Sequence, residues 1–118
     1  MMIDVRNSTE FAMQRLENSV NVPYSDVLNG AFLLNDTEFL TKYGIYKPSV
    51  NQSFIVSGFE NDISRQAAKY LRIMLGYSGI KTYYGYIEDW QSTGGTVLTR
   101  DGRWVKHIFI THAGNFSI

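Results

Sequence analysis

The chain has 118 residues, with 11 Lys and Arg against 11 Asp and Glu, so its formal net charge is zero. At 44% hydrophobic and 19% charged residues it has the composition of one folded domain. Its scattered cations make no basic field for nucleic acid or an anionic membrane. Cysteine is absent, which excludes disulfides, thiolate metal sites and a cysteine nucleophile.

The opening Met-Met-Ile-Asp-Val-Arg enters strand-like sequence directly, without the pattern of a signal or transit peptide. No stretch is long and apolar enough to span a bilayer. Ile3, Asp4 and Val5 predict a short buried strand. Asn7 followed by Glu10 has capping-box spacing, so a helix is expected there with Phe11, Met13 and Leu16 on its apolar side. Val20 to Val22 predict a second short strand stopped at Pro23. Tyr24 to Leu28 predict a helical turn that Asn29-Gly30 breaks. Asn35 and Glu38 repeat the capping-box spacing and open a helix containing Phe39 and Leu40. Gly44 closes it, and Lys47-Pro48 keeps the chain extended.

The run Phe54, Ile55, Val56 lacks polar alternation, the pattern of a central parallel strand buried on both faces. A polar loop follows, and then a helix from Asp62 or Ile63 to Gly76, with Ala67, Ala68, Leu71, Met74 and Leu75 at helical spacing. Such a strand–loop–helix unit aims unpaired N–H groups of the first helical turn at the loop. Ile80 to Tyr84 predict the next strand, Tyr86 to Trp90 a last helical turn, and Thr93-Gly94-Gly95 its end. Strands alternating with helices argue for an α/β domain, a parallel sheet covered on both faces. Thr96 to Thr99 and Trp104 to Thr111 flank Arg100-Asp101-Gly102-Arg103 and predict a β-hairpin after that body.

Asp4-Val5-Arg6, Glu10-Phe11 and Asn21-Val22-Pro23 resemble the opening signature of rhodanese-like sulfurtransferase domains, although Gln14-Arg15-Leu16 stands where Gly-His-Ile is usual. Phe39 to Pro48, Leu75-Gly76-Tyr77 and Tyr83 to Trp90 resemble segments of small single-domain rhodaneses of the fungal mitochondrial and insect heat-shock type. Gly94-Gly95 follows at the fungal distance. The resemblance runs in unbroken order over residues 3 to 95. It implies a rhodanese-like three-layer α/β domain at residues 1–95, lacking the usual N-terminal helix and edge strand. A C-terminal β-hairpin extension and tail would occupy 96–118, with the hairpin packing on the body or extending its sheet.

In active members of that family the central strand ends in a cysteine that takes sulfur from thiosulfate or a persulfide and passes it to an acceptor. Counting from Lys47-Pro48 places Gly58 at the nucleophile position, with Ser57 just before it. Ser57, Gly58, Phe59, Glu60, Asn61, Asp62, Ile63, Ser64 and Arg65 then form a degenerate active-site loop. Arg65 is a candidate anion partner, but Glu60 and Asp62 put carboxylates where an anion cradle needs positive potential. Asn61 or Asp62 reads as the helix N-cap.

The expectation is therefore a catalytically inactive rhodanese-like domain, a pseudoenzyme acting as a structural or protein-binding module in a larger assembly. The alternatives are a sulfurtransferase-related enzyme with altered chemistry at Ser57, and a small-anion sensor using the loop. Tyr83, Tyr84, Tyr86 and Trp104 are the candidate partner surface, since Tyr and Trp concentrate at interface hot spots. His107 and His112 are too few and too separated for a metal centre, and no cofactor is implied. Family analogy leans toward the mitochondrion and leaves the cytoplasm open.

Overall fold

Four short strands make an all-parallel sheet, in the spatial order Ser19–Asn21, Met2–Asp4, Phe54–Ser57 and Ile80–Tyr83. The computed structural model describes residues 1–58, 63–83, 96–99 and 104–106, the last two stretches by backbone alone. In chain order these are β1 (Met2–Asp4), α1 (Ser8–Met13), β2 (Gln14–Leu16), β3 (Ser19–Asn21), α2 (Tyr24–Leu28), a 3-10 turn at Ala31–Leu33 and α3 (Asp36–Tyr43). They continue with β4 (Phe54–Ser57), α4 (Ile63–Leu75), β5 (Ile80–Tyr83), β6 (Thr96–Thr99) and β7 (Trp104–Lys106). The expectations for Tyr84, for the helical turn at 86–90, for Thr93-Gly94-Gly95, for the turn at 100–103 and for residues 107–111 lie outside the described residues.

Local chemistry sets the helix boundaries. Asn35 Oδ1 accepts from the Glu38 backbone N–H at 2.8 Å while Glu38 reaches back to the Asn35 N–H, closing the capping box at the start of α3. Gly44 ends α3 at φ 78°, a left-handed conformation that glycine adopts without a Cβ penalty. Asn7 caps α1 through the Glu10 N–H at 2.8 Å.

The helix expected to carry Leu16 is shorter than its sequence pattern suggested. It stops at Met13, Gln14 is extended, and Leu16 is a buried residue of β2. The reason is non-local. The backbone of β2 pairs antiparallel with β6, Gln14 opposite Thr99 and Leu16 opposite Val97, so a sheet ladder replaces the next helical turn. Phe11, Met13 and Leu16 also lack a consistent helical spacing, and α1 buries none of its residues. The hairpin strands β6 and β7 thus belong to a second sheet, β2-β6-β7, built on the body through β2.

The main core lies between one face of the parallel sheet and α2, α3 and α4. Ile3, Phe54, Val56 and Ile80 from the sheet meet Val27, Phe39, Ala67, Ala68 and Leu71 from the helices. Full burial of each large side chain here contributes roughly 1.5–3 kcal/mol. Edge-to-face and tilted rings connect the layers: Phe54 to Tyr77 at 5.8 Å, Tyr77 to Phe32 at 5.6 Å and Phe32 to Phe39 at 5.3 Å between centroids. The 3-10 turn, which the sequence did not announce, puts Phe32 into this ladder. The opposite face of the sheet carries a smaller cluster of Met2 and Leu16 with Ile55 and Tyr83 beside it. Central strand β4 is covered on both sides: Phe54 and Val56 are buried on the core face, and on the other Ser57 is fully buried and Ile55 is half-buried against the smaller cluster.

Candidate functional site

In the order β3-β1-β4-β5 the chain runs from β1 outward to β3 and then crosses back to β4. The switch point therefore falls between the carboxyl ends of β1 and β4, the place where open parallel sheets form their crevice. The Val5 N–H donates to the Ser57 carbonyl at 2.9 Å and holds those two ends together. Gly58 is the next residue, buried in the mouth of that crevice.

Gly58 leads toward the start of α4, and the approach is close. A Cβ on Gly58 would lie 3.0 Å from the Ser64 backbone nitrogen and 3.4 Å from both Ile63 Cβ and Val5 Cγ2. The position predicted for a nucleophile thus faces the first turn of a 13-residue helix, whose N-terminal N–H groups and dipole favour negative charge. It holds no side chain. Ser64 is buried there, Ile63 is half-buried and Arg65 is exposed on α4. Phe59, Glu60, Asn61 and Asp62 lie outside the described residues.

Ser57 points elsewhere. Side chains alternate along a strand, so Ser57 takes the opposite face from the one Gly58 would use, in register with Asp4 on β1 and Tyr83 on β5. It is fully buried, and its Oγ has no hydrogen-bond partner among the described residues. A hydroxyl without a base to take its proton is not an activated nucleophile.

Asp4 and Arg6 form the charged pair beside it. Arg6 Nη2 lies 2.9 Å from Asp4 Oδ2, Nε lies within 3.2 Å of both carboxylate oxygens, and the Arg6 backbone N–H also donates to Oδ1 at 2.9 Å. Arg6 Nη2 further donates to the Gln14 carbonyl where α1 gives way to β2. Asn21 Nδ2 donates to the carbonyls of Asp4 and Arg6 at 3.0 and 2.8 Å, tying β3 to the β1 exit. These groups satisfy one another and shape the backbone around the crevice. Asn21 has a role in this network that its strand position alone does not indicate; its place within Asn-Val-Pro is the available signal.

Of the expected aromatic surface, Tyr83 is half-buried at the end of β5, against the Met2–Leu16 cluster. Tyr84 and Tyr86 lie outside the described residues, and Trp104 is described only by its place in β7. Among the described residues no group of three or more His, Cys, Asp or Glu is placed to hold a metal ion, and no helix is long and apolar enough to cross a membrane. A hollow lined by Met1, Met2, Glu17, Asn18 and Ile55 sits at the opposite ends of β1 and β4 from Gly58.

An all-parallel sheet with its crevice between two central strands, and a strand end feeding a helix N-terminus, defines an α/β domain whose candidate site lies at that one point. The comparisons with known proteins agree in detail. The rhodanese-like domain model matches residues 1–93, so the chain belongs to the rhodanese-like domain family. It is 33% identical over 98 residues to the thiosulfate:glutathione sulfurtransferase of Saccharomyces cerevisiae, covering 83% of this chain and 69% of that protein. It is 32% identical over 91 residues to the mouse thiosulfate sulfurtransferase/rhodanese-like domain-containing protein 3, covering 76% of this chain and 57% of that protein. The solved human single-domain sulfurtransferase superposes with a TM-score of 0.70 at 25% identity, covering 77% of this chain and 80% of that one.

Proposed function

We propose that this chain is a rhodanese-fold pseudoenzyme, a non-catalytic member of its family that serves as a structural or protein-binding module within a larger assembly. Residues 1–95 would form the rhodanese-like unit and residues 96–118 its added extension. The observation that carries the reading is Gly58. The point where β4 meets the α4 N-terminus has no side chain, and no cysteine exists anywhere in the chain to take its place. Sulfur transfer of the kind named for the yeast relative needs a thiolate to attack the donor and hold the sulfur, and a hydroxyl forms no equivalent persulfide. Ser57 supports no serine-based substitute, because its Oγ is buried, faces away from the α4 start and has no base bonded to it among the described residues.

Purified chain incubated with thiosulfate and cyanide is expected to make thiocyanate no faster than buffer. Turnover above buffer that survives removal of contaminating sulfurtransferases would overturn the reading. An anion-sensor role draws on the N–H groups at the start of α4, but Glu60 and Asp62 bring negative charge to the same loop and oppose it.

A further inference from the structure

Helix α4 spans Ile63–Leu75 with the sequence ISRQAAKYLRIML and carries three cations and no carboxylate. Its inner side is Ser64, Ala67, Ala68 and Leu71, all buried against the sheet. Its outer side has two neighbouring stripes. Arg65, Lys69 and Arg72 recur at i, i+4 and i+7 on one line, and Ile73 and Met74 run beside them, while Tyr70 is half-buried against the core. Ile73 is 68% exposed and Met74 is 65% exposed, while Lys69 and Arg72 are exposed next to them. Arg72 Nη2 donates to the Ile80 carbonyl at 2.9 Å, which fixes that guanidinium at the edge of the apolar stripe. The core gains nothing from Ile73 or Met74, and an ordinary solvated helix face mixes charge signs.

We infer that this outer face of α4 docks an acidic amphipathic segment of another protein, with carboxylates meeting Lys69 and Arg72 and large apolar side chains covering Ile73 and Met74. Charge complementarity selects the occupant: a single-sign cationic line calls for carboxylates, and the adjoining Ile and Met call for apolar cover, which a polyanion alone lacks. A bilayer is a poorer match, because two side chains are a small insertion surface on a chain of zero net charge. The inference deepens the binding-module reading by naming the chemistry of its partner. Its test is independent of sulfur transfer, so thiosulfate turnover would fail the pseudoenzyme reading without touching this one.

The experiment titrates the full chain, labelled with nitrogen-15, with a synthetic peptide carrying Glu and Leu at helical spacing and with the matching Lys and Leu peptide. Vesicles of phosphatidylcholine with phosphatidylserine form a third arm. The expected result is saturable shifts confined to residues 63–75, with the acidic peptide binding at least about tenfold tighter than the basic one. Lys69→Glu and Ile73→Ser should each weaken it by about fivefold or more with an unchanged circular dichroism spectrum. Equal affinity for both peptides, shifts centred elsewhere, no saturation, or preference for the vesicles would each overturn the inference. So would concentration-dependent self-association that seats α4 on the exposed acidic turn of Asp36 and Glu38.

Discussion

A Cβ on Gly58 would stand 3.0 Å from the Ser64 backbone nitrogen, so the mouth of the β1–β4 crevice is shaped closely around the missing side chain. Gly58→Cys is expected to fold, with a stability loss of about 1 kcal/mol as the α4 start gives by a few tenths of an ångström. The new thiol would face the α4 N-terminus, which favours thiolate, but in a loop that carries Glu60 and Asp62, which oppose it. Gly58→Cys alone should therefore show little thiosulfate-to-cyanide activity. Adding Glu60→Gln and Asp62→Asn should raise it by about tenfold, the effect of a thiol pKa drop near one unit. Denaturant midpoints and thiocyanate release check the two halves of this prediction separately.

Ser57 gives the opposite expectation. Its hydroxyl is buried with no partner among the described residues, and leaving such a group unpaired costs about 1–3 kcal/mol. Ser57→Ala should be neutral or should stabilise the fold by about 1 kcal/mol, read as a rise in the urea midpoint with an unchanged slope. A loss of stability would mean that the hydroxyl is bonded in solution.

These two neighbours mark what the sequence could and could not reveal. The N-cap at Asn7 and the capping box at Asn35–Glu38 were legible because each is made within one helical turn. The apolar run of β4 and the spacing of Ala67, Ala68 and Leu71 announced a central strand and its covering helix for the same local reason. Leu16 was misassigned because its strand exists only through pairing with β6, far along the chain. The separate directions of Ser57 and Gly58 were also hidden, since they depend on where β4 ends. So was the outer face of α4: the helical spacing counted Met74 with the core side, but Met74 is 65% exposed there beside Lys69 and Ile73, because the buried arc closes on Ser64, Ala67, Ala68 and Leu71.

The Asp4–Arg6 pair should be expensive to break from either end. Asp4 is fully buried, and three Arg6 nitrogens surround its carboxylate. Arg6→Met leaves that carboxylate without its counter-charge and takes a donor from the Gln14 carbonyl, so a loss of about 3–5 kcal/mol is expected. Adding Asp4→Asn to Arg6→Met should recover part of it, because an amide tolerates burial better than an unpaired charge. Chemical denaturation of the two single variants and the double variant gives the coupling directly.

Alkaline pH should find a weak point in two tyrosines. Burial and then the Asp26 carboxylate, which accepts from Tyr43 Oη at 2.7 Å, raise the Tyr43 pKa well above the ordinary tyrosine value. Burial and then the charge of Asp36 raise Tyr77, whose hydroxyl donates to the Pro48 carbonyl at 2.8 Å. Both shifts favour the neutral phenol in the folded chain. Their contribution is fully present below the unfolded value of about 10 and is lost as pH rises above it, where the unfolded chain releases protons that the folded chain retains. The urea midpoint should therefore be flat through neutral pH and fall steeply beyond about pH 10. Tyr43→Phe should flatten that alkaline fall while costing about 1 kcal/mol at neutral pH, the contribution of the lost hydrogen bond to Asp26 at a half-buried site. An alkaline slope as steep in Tyr43→Phe as in the parent chain would assign the fall to other groups.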